Sequence, residues 1–130
     1  FVRDVINSLS AHVAVLDARG VIVAVNQAWR QFAAENAGDA AKVSIGANYL
    51  EVCQSQLDLA ADKISQAALQ GIRAVINGTQ PSFSLEYPCH SPTEERWFLM
   101  KVQPLGGNRK GVVVAHENIT ALKQLKQQFH

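Results

Sequence analysis

Apolar residues recur along this chain at two spacings, three-to-four and two, and the changes from one spacing to the other divide it into elements. Val2, Val5, Ile6 and Leu9 fall at helical spacing and predict a short amphipathic helix over residues 1–10. His12 to Leu16 and Val21 to Val25 read as two strands joined by the turn Asp17-Ala18-Arg19-Gly20, with Asp at its start and Gly at its end. Asn26 is placed to cap the helix that follows, whose apolar face holds Trp29, Phe32 and Ala33 and which Asn36 and Gly38 should end. A longer helix is expected from Ser55 to Asn77. Leu57, Ala60, Ala61, Ile64, Ala68, Ile72 and Val75 form its apolar side, Asp58, Asp62, Gln66, Gln70, Arg73 and Asn77 its polar side, and Gly78 follows its end.

In the second half, Ser82 to Tyr87 alternates as a strand, and Pro88 and Pro92 exclude a central strand just after it. Trp97 to Val102 and Gly111 to Ala115 are rich in aromatic and β-branched residues, and Leu105-Gly-Gly-Asn-Arg-Lys between them supplies a hairpin loop. Beyond Asn118-Ile119-Thr120 the pattern becomes helical again, with Leu122, Leu125 and Phe129 spaced three and four apart among Lys and Gln. The predicted fold class is α+β, a five-stranded antiparallel sheet with helices packed on one face, flanked by N-terminal and C-terminal amphipathic helices.

Composition narrows the function. A chain of 130 residues, 48% of them hydrophobic, forms one core. Its 12 basic and 11 acidic residues are interspersed and leave a net charge of +1, so neither nucleic acid nor direct membrane contact is expected. Cys53 and Cys89 lack CxxC spacing and disulfide-scaffold density, which fits a reducing, cytoplasmic setting. No run approaches the ~18 apolar residues of a membrane span. The chain begins at Phe1 with helical patterns at both ends, so it reads as a piece of a longer protein: a flanking helix over 1–10, a domain over 11–120 and the start of a further helix over 121–130.

The turn Asp17 to Gly20, Asn26 after the second strand, the strand bearing Trp97, the last strand and the closing Asn118-Ile119-Thr120 together resemble the PAS family. That resemblance covers nearly the whole chain. It implies a non-catalytic sensory and dimerisation domain of a larger signal-transduction protein, such as a histidine kinase of a two-component system or a cyclic-dinucleotide enzyme. Asn118-Ile119-Thr120 would relay a change in the sheet to the exit helix and an attached effector domain. The family's usual Asp is Asn118 here, an amide that can cap but cannot form an ion pair. Gly46-Ala47-Asn48-Tyr49-Leu50 is similar to the flavin-binding segment of the blue-light branch, with Tyr49 in place of the reactive cysteine and Leu50 in place of the arginine. Covalently reacting flavin is therefore disfavoured. Haem-binding members commonly carry their iron ligand on the long helix, where this chain has no histidine, so haem is disfavoured too and the cofactor stays unknown.

Several constellations compete for function. Val15, Val25, Trp29, Phe32, Tyr49, Leu69, Ile72, Phe83, Met100 and Val114 could line a ligand cavity between sheet and helices, or simply fill a core. Cys89-His90 suggests an activated thiolate, yet adjacent residues of an extended segment point apart. His12, His90, His116 and His130 share no metal-binding spacing, and no metal is expected. Asp17, Glu86, His116 and Glu117 are the groups from which a small acid-base enzyme would have to build its cleft. A ligand-free dimerisation module is the third reading. Leu122, Leu125 and Phe129 could pair with a second subunit as a coiled coil, giving a homodimer, or fold back on the sheet.

Overall fold

The computed structural model describes residues 11–36, 43–60, 63–89, 93–107 and 110–128. Strand β1 (His12–Leu16) turns into β2 (Ile22–Val25) through Asp17, whose carboxylate Oδ1 accepts the amide hydrogens of Arg19 and Val21 at 2.9 and 3.0 Å. This is an Asx turn. Gly20 stands at φ 89° inside it, and a β-carbon there would lie 2.7 Å from the Leu50 side chain. Both conditions call for glycine.

Helix α1 (Gln27–Asn36) follows directly. Asn26 does more than cap it. Its side-chain Oδ1 accepts the Trp29 amide at 2.9 Å and the Val13 amide at 3.0 Å, while Nδ2 donates to the Ala11 carbonyl at 2.8 Å. Its own amide donates to the Val13 carbonyl at 2.9 Å. A side chain only 2% exposed thus rivets the start of α1 to β1, and every polar atom it buries finds a partner.

Helix α2 (Tyr49–Ala60) is capped by Asn48, whose Oδ1 accepts the Glu51 amide at 3.1 Å. The chain before it runs beside β2: Ile22 donates to the Ala47 carbonyl and Gly46 donates to that of Ile22, both at 2.8 Å. Helix α3 (Lys63–Ile76) buries Leu69, Gly71, Ile72 and Val75. The single helix expected from Ser55 to Asn77 is therefore two, and the first begins earlier, at Tyr49. A straight rod over those positions would be ~34 Å long at ~1.5 Å per residue. Five strands spaced ~4.8 Å apart span only about 20 Å, so two shorter helices packed on one another cover the sheet better.

Strands β3 (Phe83–Pro88), β4 (Trp97–Pro104) and β5 (Val112–Asn118) complete the sheet, and helix α4 (Thr120–Gln128) leaves it. The order across the sheet is β2-β1-β5-β4-β3, with each neighbouring pair antiparallel. The α+β architecture read from the sequence is the observed one. Ala14, Leu16, Met100, Val102, Val112 and Val114 point from the sheet into a core closed by Trp29, Cys53, Leu69, Ile72 and Val75. Alternation sends Val15 to the opposite face, outside this core. Trp97 is likewise only half-buried, and the fully buried aromatic of β4 is its neighbour Phe98. The helix expected over residues 1–10 lies outside the described residues.

Asn26→Ala should lower the unfolding free energy by about 2–4 kcal/mol, since it removes a cap and strands the Val13 amide and the Ala11 carbonyl. Urea denaturation measures this, and a loss under 1 kcal/mol would contradict the role given to the side chain.

Candidate functional site

The inward side chains of β1, β5, β4 and β3 line up in rows because the strands are in register. His12 pairs with His116, His116 with Met100, and Met100 with Leu85. Tyr87 pairs with Phe98 one step along. This end of the sheet is where polar and aromatic residues replace the Val and Leu of the core. Opposite stand Trp29, Phe32 and Ala33 of α1 and Tyr49 at the start of α2.

Between them lies a cavity of about 140 Å³, with His12, His116 and Tyr87 on the sheet side and Trp29, Phe32 and Tyr49 on the helix side. Ring packing fixes the walls. Trp29 meets Tyr49 edge-on at 5.5 Å and His116 at 5.7 Å, and the His12 and Phe32 centroids are 4.4 Å apart. The Trp29 indole N–H donates to the Val43 carbonyl at 2.7 Å, which holds that ring in place and brings Val43 to the rim. The Arg96 guanidinium lies 5.7 Å from both the Phe32 and the Phe98 ring centroids.

His116 is the chemical centre of the site. Tyr87 Oη lies 2.6 Å from its Nδ1 and Tyr49 Oη lies 3.3 Å from its Nε2. Burial, with the charge of His12 as a smaller cause, lowers its pKa from 6.5 to about 4, so the imidazole is neutral at physiological pH. Burial also raises both tyrosines, chiefly by desolvation. His12 is lowered by burial and then by Arg96. The three hydrogen-bonded groups are uncharged: a polar strip in an apolar chamber.

A second cavity, of about 170 Å³, lies on the other side of that strip, between Val52, Ile64 and Ala68 of the helices and Leu85 and Met100 of the sheet. Tyr49, Tyr87 and His116 line both spaces. Cys53 also borders the second, and burial pushes its thiol up to about 11, which keeps it protonated and a poor nucleophile.

The sequence-predicted pocket is thus only partly the observed one. Trp29, Phe32 and Tyr49 line the first cavity, Met100 the second, and Val25 a third recess beside Trp29 and Arg30. Leu69, Ile72 and Val114 are buried core, and Phe83 packs against that core, over Gly71. Val15 is on the other face of the sheet. Sequence reasoning missed His12, Ala33, Val43 and Tyr87, and set His116 aside in favour of ordinary strand packing. The signal was present in the alternation, since His12 shares its parity with Ala14 and Leu16, His116 with Val112 and Val114, and Tyr87 with Phe83 and Leu85.

The alternative acid-base site does not assemble. Asp17 is spent in its turn, Glu86 faces solvent with Lys123 at 3.4 Å, Glu117 is exposed and His116 points into the cavity. His90 of the Cys89-His90 pair lies outside the described residues, and Cys89 instead brackets the β3–β4 connection, its carbonyl accepting from Arg96 Nε at 2.9 Å. Among the described residues no group of three or more His, Cys, Asp or Glu is arranged to hold a metal ion, and no helix is long and apolar enough to cross a membrane.

Below the cavity, β4 hands over to the exit. The Trp97 amide donates to Thr120 Oγ1 at 3.0 Å, its carbonyl accepts from Ile119 at 2.8 Å, and Asn118 Oδ1 accepts the Thr120 amide at 3.0 Å. Lys123 reaches back over the Trp97 ring at 5.1 Å. Asn118 thus caps α4.

A protein-family model described as the PAS fold matches residues 6–124. The chain belongs to the PAS family. Over 120 residues, 91% of its length, it is 44% identical to an uncharacterized 104.1 kDa protein in the hypE 3′ region of Rhodobacter capsulatus. It spans only 12% of that protein. Among solved structures, the PAS domain of Bordetella pertussis BvgS superposes with a TM-score of 0.63 at 16% identity, covering 100% of this chain and 92% of that one. A phage VqmA–DPO complex gives 0.65 at 14% identity over 98% of this chain and 55% of the other. A sensory box sensor histidine kinase from Vibrio cholerae gives 0.53 at 16% identity, covering 92% and 90%. At these identities the likeness is one of fold.

The neutral His116 of this PAS domain sets a pH dependence. Below pH 6.5 the unfolded chain takes up a proton at this residue that the folded chain refuses until about pH 4. The unfolding free energy should therefore fall from pH 6.5 towards 4, by about 3 kcal/mol more than in His116→Gln. Parallel pH profiles for the two proteins would show that His116 is not buried as a neutral group.

Proposed function

We propose that this chain is the sensory input domain of a larger cytoplasmic signalling protein, which holds a small molecule in the aromatic cavity and transmits its presence through α4 to an effector domain. One observation carries the reading. Trp97 and Phe98 are neighbours on β4 and point to opposite faces. Phe98 packs on the cavity rings, 5.5 Å from Phe32, 5.9 Å from His12 and 5.9 Å from Tyr87. Trp97 carries Thr120, Ile119 and Lys123 at the start of the exit helix. A ligand that moves the cavity wall shifts the backbone to which α4 is tied. The signal requires that the ligand bind the two arrangements with different affinity.

Other features agree with this reading. The chain covers one eighth of a 104.1 kDa relative, as a module of a multidomain protein would. One neighbour in fold is named as a complex with DPO and another as a sensor histidine kinase. A benzene-sized chamber is small for a haem or a flavin, so the ligand we propose is smaller than either. Leu122 and Leu125 are 49% and 50% exposed on α4, which supports pairing with a second copy of the helix. Phe129, the third residue of that stripe, lies outside the described residues.

Native mass spectrometry beside a denaturing spectrum tests the sensory reading: a mass excess lost on denaturation is expected from protein purified out of its own host. Its absence at every preparation would contradict a tightly held ligand. In light scattering Leu125→Asp should shift the protein from dimer towards monomer, and an unchanged dimer would remove α4 from the interface.

A further inference from the structure

The chemistry of the ligand follows from the polar strip, and this inference rests on the sensory reading above. Tyr49, Tyr87 and His116 line both cavities, so the two spaces meet along one hydrogen-bonded seam. On one side the walls are aromatic and the volume, about 140 Å³, is close to the ~150 Å³ of an apolar cavity that takes benzene. One flat ring fits there. On the other side, at about 170 Å³, the walls beyond the seam are mostly aliphatic, with Ser65 and Cys53 among them. Among the described residues, no Asp, Glu, Lys or Arg lines either space. A charged ligand would find no partner among those residues, so the occupant is taken as neutral.

The seam has one hydrogen too many. A neutral imidazole carries one N–H and each phenol one O–H, three hydrogens in all, yet the described residues give the seam only the two hydrogen bonds to His116. The imidazole N–H donates to one phenol oxygen and the other phenol donates to the remaining ring nitrogen, the Tyr87 contact being 2.6 Å and the Tyr49 contact 3.3 Å. The hydroxyl hydrogen of whichever tyrosine accepts is left without an acceptor among the described residues, at the junction of the two cavities. A hydrocarbon would leave it unpaired, and a ligand group that only donates would compete with it.

We propose that the domain binds a neutral molecule made of one planar ring and a short aliphatic arm joined by a hydrogen-bond acceptor, a ketone or amide carbonyl, which accepts the spare hydroxyl hydrogen of the Tyr49–His116–Tyr87 seam. The ring occupies the aromatic space and the arm the aliphatic one.

Three probes test it on the full chain: n-butylbenzene, acetophenone and butyrophenone, followed by tryptophan fluorescence and amide chemical shifts. Butyrophenone should bind about tenfold more tightly than acetophenone, because its two added methylenes enter the second cavity. With a 13C-labelled carbonyl, its bound C=O stretch should lie below the value in hexane and stay there in His12→Phe, His12 being the other polar side chain of the aromatic wall. A hexane-like frequency, equal affinities for the two ketones, or a shift that vanishes in His12→Phe would each overturn the proposal. So would binding of n-butylbenzene with neither ketone bound, an outcome that leaves the cavity as a sensor site. If none of the three binds up to its solubility limit, the sensory reading of the cavity falls with the proposal.

Discussion

The arrangement of this domain depends on a single buried amide. Asn26 spends both ends of its side chain on backbone groups of two different elements, accepting from Val13 and Trp29 and donating to Ala11. An exposed cap is worth about 1 kcal/mol. A buried one that also closes a strand end is worth more, because each backbone group it satisfies would otherwise be desolvated with no partner. The geometric result matters as much. With α1 fixed against β1, Trp29 and Phe32 are held over the sheet at ring-contact distance from His116 and His12, and the space between them becomes the cavity.

That chamber is unusual in where it puts polarity. A sheet face that elsewhere buries Ala, Leu and Val carries two histidines and a tyrosine at one end, and the helices answer with another tyrosine. Each group is uncharged, and burial keeps it so. A core needs none of this, since aliphatic residues of similar volume would pack there without any hydrogen-bonding condition to meet. The polar seam therefore reads as a recognition element. Phe98, one residue along β4 from the amide that holds Thr120, stacks on Tyr87 of the seam, which places recognition and output on opposite faces of the same strand.

Most of the fold was legible because its determinants are local. The Asp17 to Gly20 turn, the Asn26 cap, the strand alternation and the Asn118-Ile119-Thr120 exit are written in neighbouring residues. The long helix was misread because one continuous apolar stripe can be drawn through two helices, and the Asn48 cap was overlooked inside a segment weighed only for its likeness to a flavin-binding motif. The site was less legible for a different reason. Large apolar residues were assigned to the pocket, whereas the sheet sends Leu69, Ile72 and Val114 to the core and Val15 to the far face. Histidines were weighed as metal ligands and set aside. Carrying the strand parity through His12, Tyr87 and His116 would have placed all three on the cavity side. Their mutual contacts, which depend on the register of β1, β5, β4 and β3, needed the structure.

The most direct test of the seam is a long-range proton–nitrogen NMR spectrum of the His116 ring recorded from pH 8 to pH 5. A neutral ring held between Tyr87 and Tyr49 predicts one fixed tautomer, with ring nitrogen shifts constant across that range. A titration centred near pH 6.5, or shifts averaged between the two tautomers, would mean that the imidazole is solvated and that the cavity has no ordered hydrogen-bonding wall.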